Sequence, residues 1–82
     1  MKQCKEYTFL IPAPTKDGRI NYITFHATGY YVNFIFIGID ELNVTNTPAI
    51  NVALAKDMLS VVIEAKEAAE QYFQNLYKQA VA

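Results

Sequence analysis

The stretch TPAINVALAKDMLSVVIEAKEAAEQYFQNLYKQA, residues 47–80, decides the fold, because its apolar and polar positions recur at helical spacing. Thr47 can cap the first free amides through its hydroxyl, and Pro48 suits the first helical position, where no backbone N–H is needed. No Gly or Pro follows. At about 100° per residue, Lys56, Ser60, Glu64, Glu67, Gln71, Gln74 and Lys78 form one polar stripe. Met58, Val62, Ala65, Ala69, Tyr72 and Leu76 run opposite. Leu54, Leu59, Val61, Ala68, Phe73 and Tyr77 widen the apolar side beyond what one flat contact needs. The pattern predicts a single amphipathic helix over about 48–80.

A helix of that length spans roughly 50 Å. Strands of about seven to nine residues span only about 25–30 Å. The helix is therefore expected to outrun its sheet, leaving Tyr72, Phe73, Leu76 and Tyr77 without cover in the same chain. Soluble monomers rarely expose apolar stripes of that size, so a second copy of the chain is the expected cover. The Ala65, Ala68 and Ala69 patch is expected to seat large aromatics from the sheet, Phe25, Phe34 and Phe36 being the right size.

Working back from the helix, residues 6–11 alternate as a strand with Tyr7, Phe9 and Ile11 on one face, and Pro12 and Pro14 are expected to end it. Thr15-Lys16-Asp17-Gly18 reads as a turn. Residues 19–27, rich in β-branched and aromatic side chains, form the second strand. Thr28-Gly29 reads as a tight turn into a third strand over 30–39. Residues 40–46 read as a connector, with room for one helical turn at Asp40-Glu41-Leu42. The expected fold is α+β: a three-stranded antiparallel meander followed by the long helix packed across one face, all in one domain of 82 residues.

With a two-residue loop at Thr28-Gly29, Ile23, Phe25, Ala27, Tyr30, Val32 and Phe34 share one apolar face. The other face then pairs His26 with Tyr31, Thr24 with Asn33, Tyr22 with Ile35 and Ile20 with Ile37. A three-residue loop with a left-handed Gly29 is the rival and would mix the two sets. Under the first register, Tyr22, Thr24, His26, Tyr31 and Asn33 make a polar-aromatic binding surface on a sheet with both faces largely apolar, and such a sheet is expected to have something on both sides.

Composition narrows the function classes. Seven basic residues against eight acidic ones argue against a phosphate-binding surface. Six Tyr and five Phe suit a base-stacking sheet, but clustered Lys and Arg do not accompany them. The first residues, Met1 to Glu6, hold no apolar leader, and no run is apolar enough to cross a membrane. The single Cys4 forms no internal disulfide and has no metal-ligand spacing around it. Neither a metal nor a cofactor is expected, and the expected compartment is the cytoplasm.

A His26–Tyr31 pair could move a proton, yet no motif supports catalysis, and Cys4, His26, Asp17 and Asp40 lie at unrelated spacings. The sequence reads as a non-enzymatic, self-associating protein-binding module, of the inhibitor or adaptor kind found in phages and mobile elements. The alternatives are an oligomer that sequesters a small molecule or nucleotide in a pocket between subunits, and a single-stranded nucleic-acid binder using the aromatic sheet face.

Overall fold

The computed structural model describes residues 2–45 and 54–77. Three long strands, β1 (Lys2–Pro14), β2 (Ile20–Val32) and β3 (Ile35–Val44), precede one helix, α1 (Met58–Leu76). The strands form an antiparallel meander in the order β1-β2-β3, with β2 central. The helix packs on one face, so the expected α+β arrangement holds. The molecule is elongated, 47 × 22 × 16 Å.

The strands run further than the sequence reading placed them, and three turn signals were misread. Pro12 and Pro14 do not end β1 but lie within it, opposite Tyr22 and Ile20. Thr15 N–H donates to Arg19 O across the hairpin, so odd-numbered amides of β1 point at β2 and even-numbered positions point outward. Both prolines therefore occupy the free side of an edge strand, where a missing donor breaks no ladder bond. Thr28-Gly29 is not a turn either. Gly29 sits mid-strand in β2, and the chain reverses instead at Asn33 and Phe34, with φ of 50° and 66°. Two consecutive left-handed residues make the hairpin turn that matches strand twist, and Asn is among the residues that tolerate it. Residues 40–44 continue β3 rather than forming a connector or helical turn, with register shifts where Ile37 and Asp40 interrupt the pairing.

Helix α1 is shorter than the 48–80 expected. The Thr47-Pro48 start lies outside the described residues, as do 78–80. Leu54, however, is not helical: it bridges Thr15, while Ala55 N–H donates to Pro14 O at 2.8 Å on the outer edge of β1. The cap is Asp57, whose side chain accepts from Ser60 N–H at 2.8 Å. Bonds from the Ser60 amide and then its hydroxyl hold the Asp57 carboxyl below the usual carboxylate range. The 19 helical residues span about 28 Å, and a 13-residue strand spans about 43 Å. The expected mismatch is reversed: the sheet outruns the helix.

Side chains segregate by parity. Ile11 and Ala13 of β1 join Ile23 and Phe25 of β2 under Val61 and Ala65 of the helix. Ala27 and Tyr31 pack against Ala69 and Phe73 in a second cluster. The small helix residues thus lie against the sheet's aromatics, with Phe25 fully buried and Phe36 packed on the second cluster, but Phe34, expected among them, is in the β2–β3 turn, exposed and edge-on to Tyr77. Gly29 has a different reason to be glycine. A Cβ there would lie 2.6 Å from Cγ of Phe73, so the bare backbone is the floor on which that ring rests.

Candidate functional site

The helix end expected to await a partner is occupied by its own chain. Phe73 is wholly buried, packed by Phe36 at a 5.8 Å ring separation and edge-on by Tyr31 at 6.3 Å. Tyr72 stacks on Tyr7 at 3.8 Å between centroids, and Leu76 and Tyr77 pack on the second core cluster. Tyr31 is equally internal: its hydroxyl donates to Phe73 O at 2.6 Å, in the last turn of the helix. Burial first, then the nearby Tyr77 and Tyr72, pushes the Tyr31 phenol up to about 12. The 47–80 length argument therefore does not single out Tyr72, Phe73, Leu76 and Tyr77 as an open contact.

Tyr31 consequently does not join His26. The two side chains point to opposite faces, and Asn33 lies in the β2–β3 turn. Tyr22, Thr24 and His26 do share the outer face. Their neighbours are set by the true register: Leu10 opposite Thr24, Thr8 opposite His26, Glu6 opposite Thr28, and Asn43 and Glu41 across from His26 and Thr28 on the other side.

This outer face has three zones along the strands. Beside the first hairpin, Leu10, Ile20 and Tyr22 are 58%, 56% and 53% exposed, flanked by Pro12 and Pro14. At the far end Tyr30 and Val32 meet Gly38 and Ile35, the latter 66% exposed, with Ile37 beside them at 57%. Lys2 lies over the Tyr30 ring at 4.9 Å. Between the two ends the face is polar. The Thr8 hydroxyl is 2.8 Å from Nδ1 of His26, and Nε2 is 3.3 Å from Oε1 of Glu6. One tautomer satisfies both: Thr8 O–H donates to Nδ1, and Nε2–H donates to the carboxylate.

A hydroxyl, an imidazole and a carboxylate in that order have the connectivity of a nucleophile, base and orienting acid. The surroundings supply none of the rest. The β2 amides beside His26 are committed to the ladders and the free amides of Glu6 and Thr8 point away from it, off the edge of β1, so no pair of N–H groups among the described residues converges on a developing oxyanion. Glu6 stands in solvent, its side chain 74% exposed. What the trio does is hold the imidazole by both ring nitrogens, between a hydroxyl and a carboxylate. No group of three or more His, Cys, Asp or Glu that could hold a metal occurs among the described residues.

Two other places are less suited to binding. The depression beside the first hairpin is open and lined by Thr15, Asp17, Arg19, Ile20 and Asn21. Its Asp17 carboxyl is taken up by Thr15 and then by Arg19 N–H, which hold it below the usual carboxylate range. On the solvent side of the helix, Leu59 and Ile63 are exposed, but one aliphatic pair a turn apart makes a small patch that needs no partner.

The sequence reading did not place Glu6, Thr8 and Leu10 on this surface because it drew no register between β1 and β2, and it set Ile35 beside Tyr22, at the wrong end of the face, because the β2–β3 hairpin was placed five residues early. The available signal was parity. Ile23, Phe25, Ala27, Gly29 and Tyr31 keep a period of two straight through Thr28-Gly29. Comparisons of the chain with protein-family models, curated proteins and solved structures found no match. No helix among the described residues is long and apolar enough to cross a membrane.

Proposed function

We propose that this chain is a non-enzymatic protein-binding module whose contact surface is the outer face of the sheet. One observation carries the reading: the outer positions of the central strand, Ile20, Tyr22, Thr24, His26, Thr28, Tyr30 and Val32, include no Lys, Arg, Asp or Glu. The charged side chains of that face, Lys2, Glu6 and Glu41, all stand on the flanking strands. A centre depleted of charge and rich in Tyr, with charge confined to the rim, is the anatomy of a protein–protein contact. A solvated sheet face would carry charge along its middle as well.

The rival readings have less support. A pocket between subunits lined by Tyr22, His26, Tyr31 and Asn33 loses Tyr31 to the core. A single-stranded nucleic acid would want cations along the face, where Lys2 is the one cation among the described residues. Within the favoured class, an inhibitor or adaptor working in the cytoplasm, where the exposed Cys4 stays reduced, suits a domain with one large contact face.

The test is affinity capture from lysate and from cells co-expressing an untagged copy, with tagged wild type and tagged Tyr22→Glu/Ile35→Glu run in parallel. Proteins held by wild type and released by the folded variant support the reading. Identical captured sets would overturn it.

A further inference from the structure

We propose that the occupant of the outer face is a second copy of this chain, packed sheet against sheet in a twofold-symmetric dimer. The proposal rests on the outer face being a protein contact, as argued above, and adds what covers it.

The first argument is pattern. A twofold contact presents the same patch from both partners, so the patch must complement itself. Along the strands this face runs apolar, polar, apolar: Ile20 and Tyr22, with Leu10 at the border opposite Thr24; then Thr8, Thr24, His26 and Thr28, with Glu6, Glu41 and Asn43 on the flanking strands; then Tyr30, Val32 and Ile35, with Lys2 and Cys4 on the β1 side. That order is the same read from either end. A copy turned end over end on the face sets apolar on apolar and polar on polar. An unrelated partner would need no such palindrome.

The second argument is area. Two strands about 43 Å long and a third about 33 Å long, abreast at about 4.8 Å, give a face of about 570 Å². Two such faces bury about 1,100 Å², above the roughly 1,000 Å² that a specific contact has to clear. The apolar ends contribute large side chains that are half exposed or more (Leu10, Ile20, Tyr22, Ile35 and Ile37), enough to interdigitate at sheet-packing distance.

The third argument is that growth at the sheet edges is obstructed. On the free side of β1, Pro12 and Pro14 offer no N–H, and Ala55 already donates to Pro14 O. The free side of β3 is broken by two register shifts, and Asp40 with Glu41 would meet their own like in a symmetric antiparallel pairing. A second copy therefore fits the face better than either edge. In the dimer the rim charges stay wet, and the imidazole of His26 stays held by Thr8 and Glu6 rather than being buried unpaired.

The experiment is light scattering coupled to gel filtration, on wild type and on Tyr22→Glu/Ile35→Glu, with circular dichroism to establish that the variant is folded. The expected result is twice the 9.3 kDa chain mass for wild type, and the single-chain mass for the folded variant. A wild type that stays at the single-chain mass at millimolar concentration would overturn the proposal, as would a folded variant that remains dimeric. Should the variant fail to fold, the wild-type thiol decides. Cys4 is exposed on this face opposite Tyr30, and its alkylation by iodoacetamide should slow several-fold as protein concentration rises. A rate independent of concentration sinks the dimer. A monomeric wild type whose face variant still releases a different captured protein removes the dimer and keeps the binding reading. If capture is unchanged as well, both fall.

Discussion

The two faces of β2 are made by alternate residues of one strand, yet they follow opposite rules. The odd face (Ile23, Phe25, Ala27, Gly29 and Tyr31) is fitted residue by residue to the helix, down to a position where one carbon too many would strike a ring. The even face carries side chains just as large that stay half exposed, among them Ile20 and Tyr22. Internal packing is specific because volume there is conserved to within a methyl group. The outer face is specified more coarsely, by where charge is left out. Core and contact surface can thus be told apart by how tightly each position constrains its residue, and substitutions should expose the contrast.

The largest effect is expected at the centre of the fitted face. Phe73→Ala removes a ring that is completely buried and should cost about 3–5 kcal/mol, enough to unfold most of a domain this small, as read by urea denaturation. Next comes Gly29→Ala. The added methyl meets Phe73 Cγ at 2.6 Å and should cost about 1–3 kcal/mol through forced repacking. If it is neutral, the ring has room that the geometry denies it. Combining it with Phe73→Leu should recover part of the loss, a coupling that two independent sites would not show.

Tyr31→Phe comes third and has a pH signature. At pH 7 it should cost roughly 1–2 kcal/mol, for the bond to Phe73 O. The folded-state value of about 12 lies above the ordinary phenol value near 10. The neutral form is thus favoured in the folded chain. The associated stability, on the order of 3 kcal/mol, is complete below about pH 10 and lost as pH rises toward 12. Other groups titrate there too, so the informative quantity is the difference between wild type and Tyr31→Phe, which should shrink and then reverse above pH 10. The smallest effect belongs to the even face. Tyr22→Thr should change monomer stability by about 0.5 kcal/mol or less, measured after dilution until the urea midpoint no longer depends on concentration. A loss as large as that at Phe73 would mean that this face also belongs to the monomer's core.

The contrast also explains what the sequence made legible. Element order, most of the helix polarity and the apolar set of β2 up to Ala27 depend on periodicity, which is local and strong, and the structure agrees with them except at Leu59, which faces solvent, and Leu54, which precedes the helix. The turns were misjudged because the usual markers serve other ends here. Gly29 supplies room for Phe73 rather than a turn, the prolines sit on an edge that needs no donor, and the real turn uses Asn33-Phe34 with no glycine. A five-residue displacement of the β2–β3 hairpin put Tyr31 beside His26, and without a register between β1 and β2 Thr8 and Glu6 were not placed next to it. Asp57 was readable as a cap three residues before Ser60, but Thr47-Pro48 offered the stronger-looking start. None of these errors touched the fold class, because patterning fixes the class while single turn residues fix the register.

The bond from Tyr31 to Phe73 spans 42 positions in the chain, whereas each hairpin closes through a turn of a few residues. Hairpins form in microseconds from neighbouring segments, and closing a long loop costs entropy that must be met before its contacts give any return. The separations predict that the three strands pair while the helix is still undocked, and that seating Phe73 on Gly29 completes the native state. Until that moment the strand residues on both sides of the sheet are equally bare. The tyrosine hydroxyl thus works as a latch on the route to the native state, shutting the one face while the other stays open.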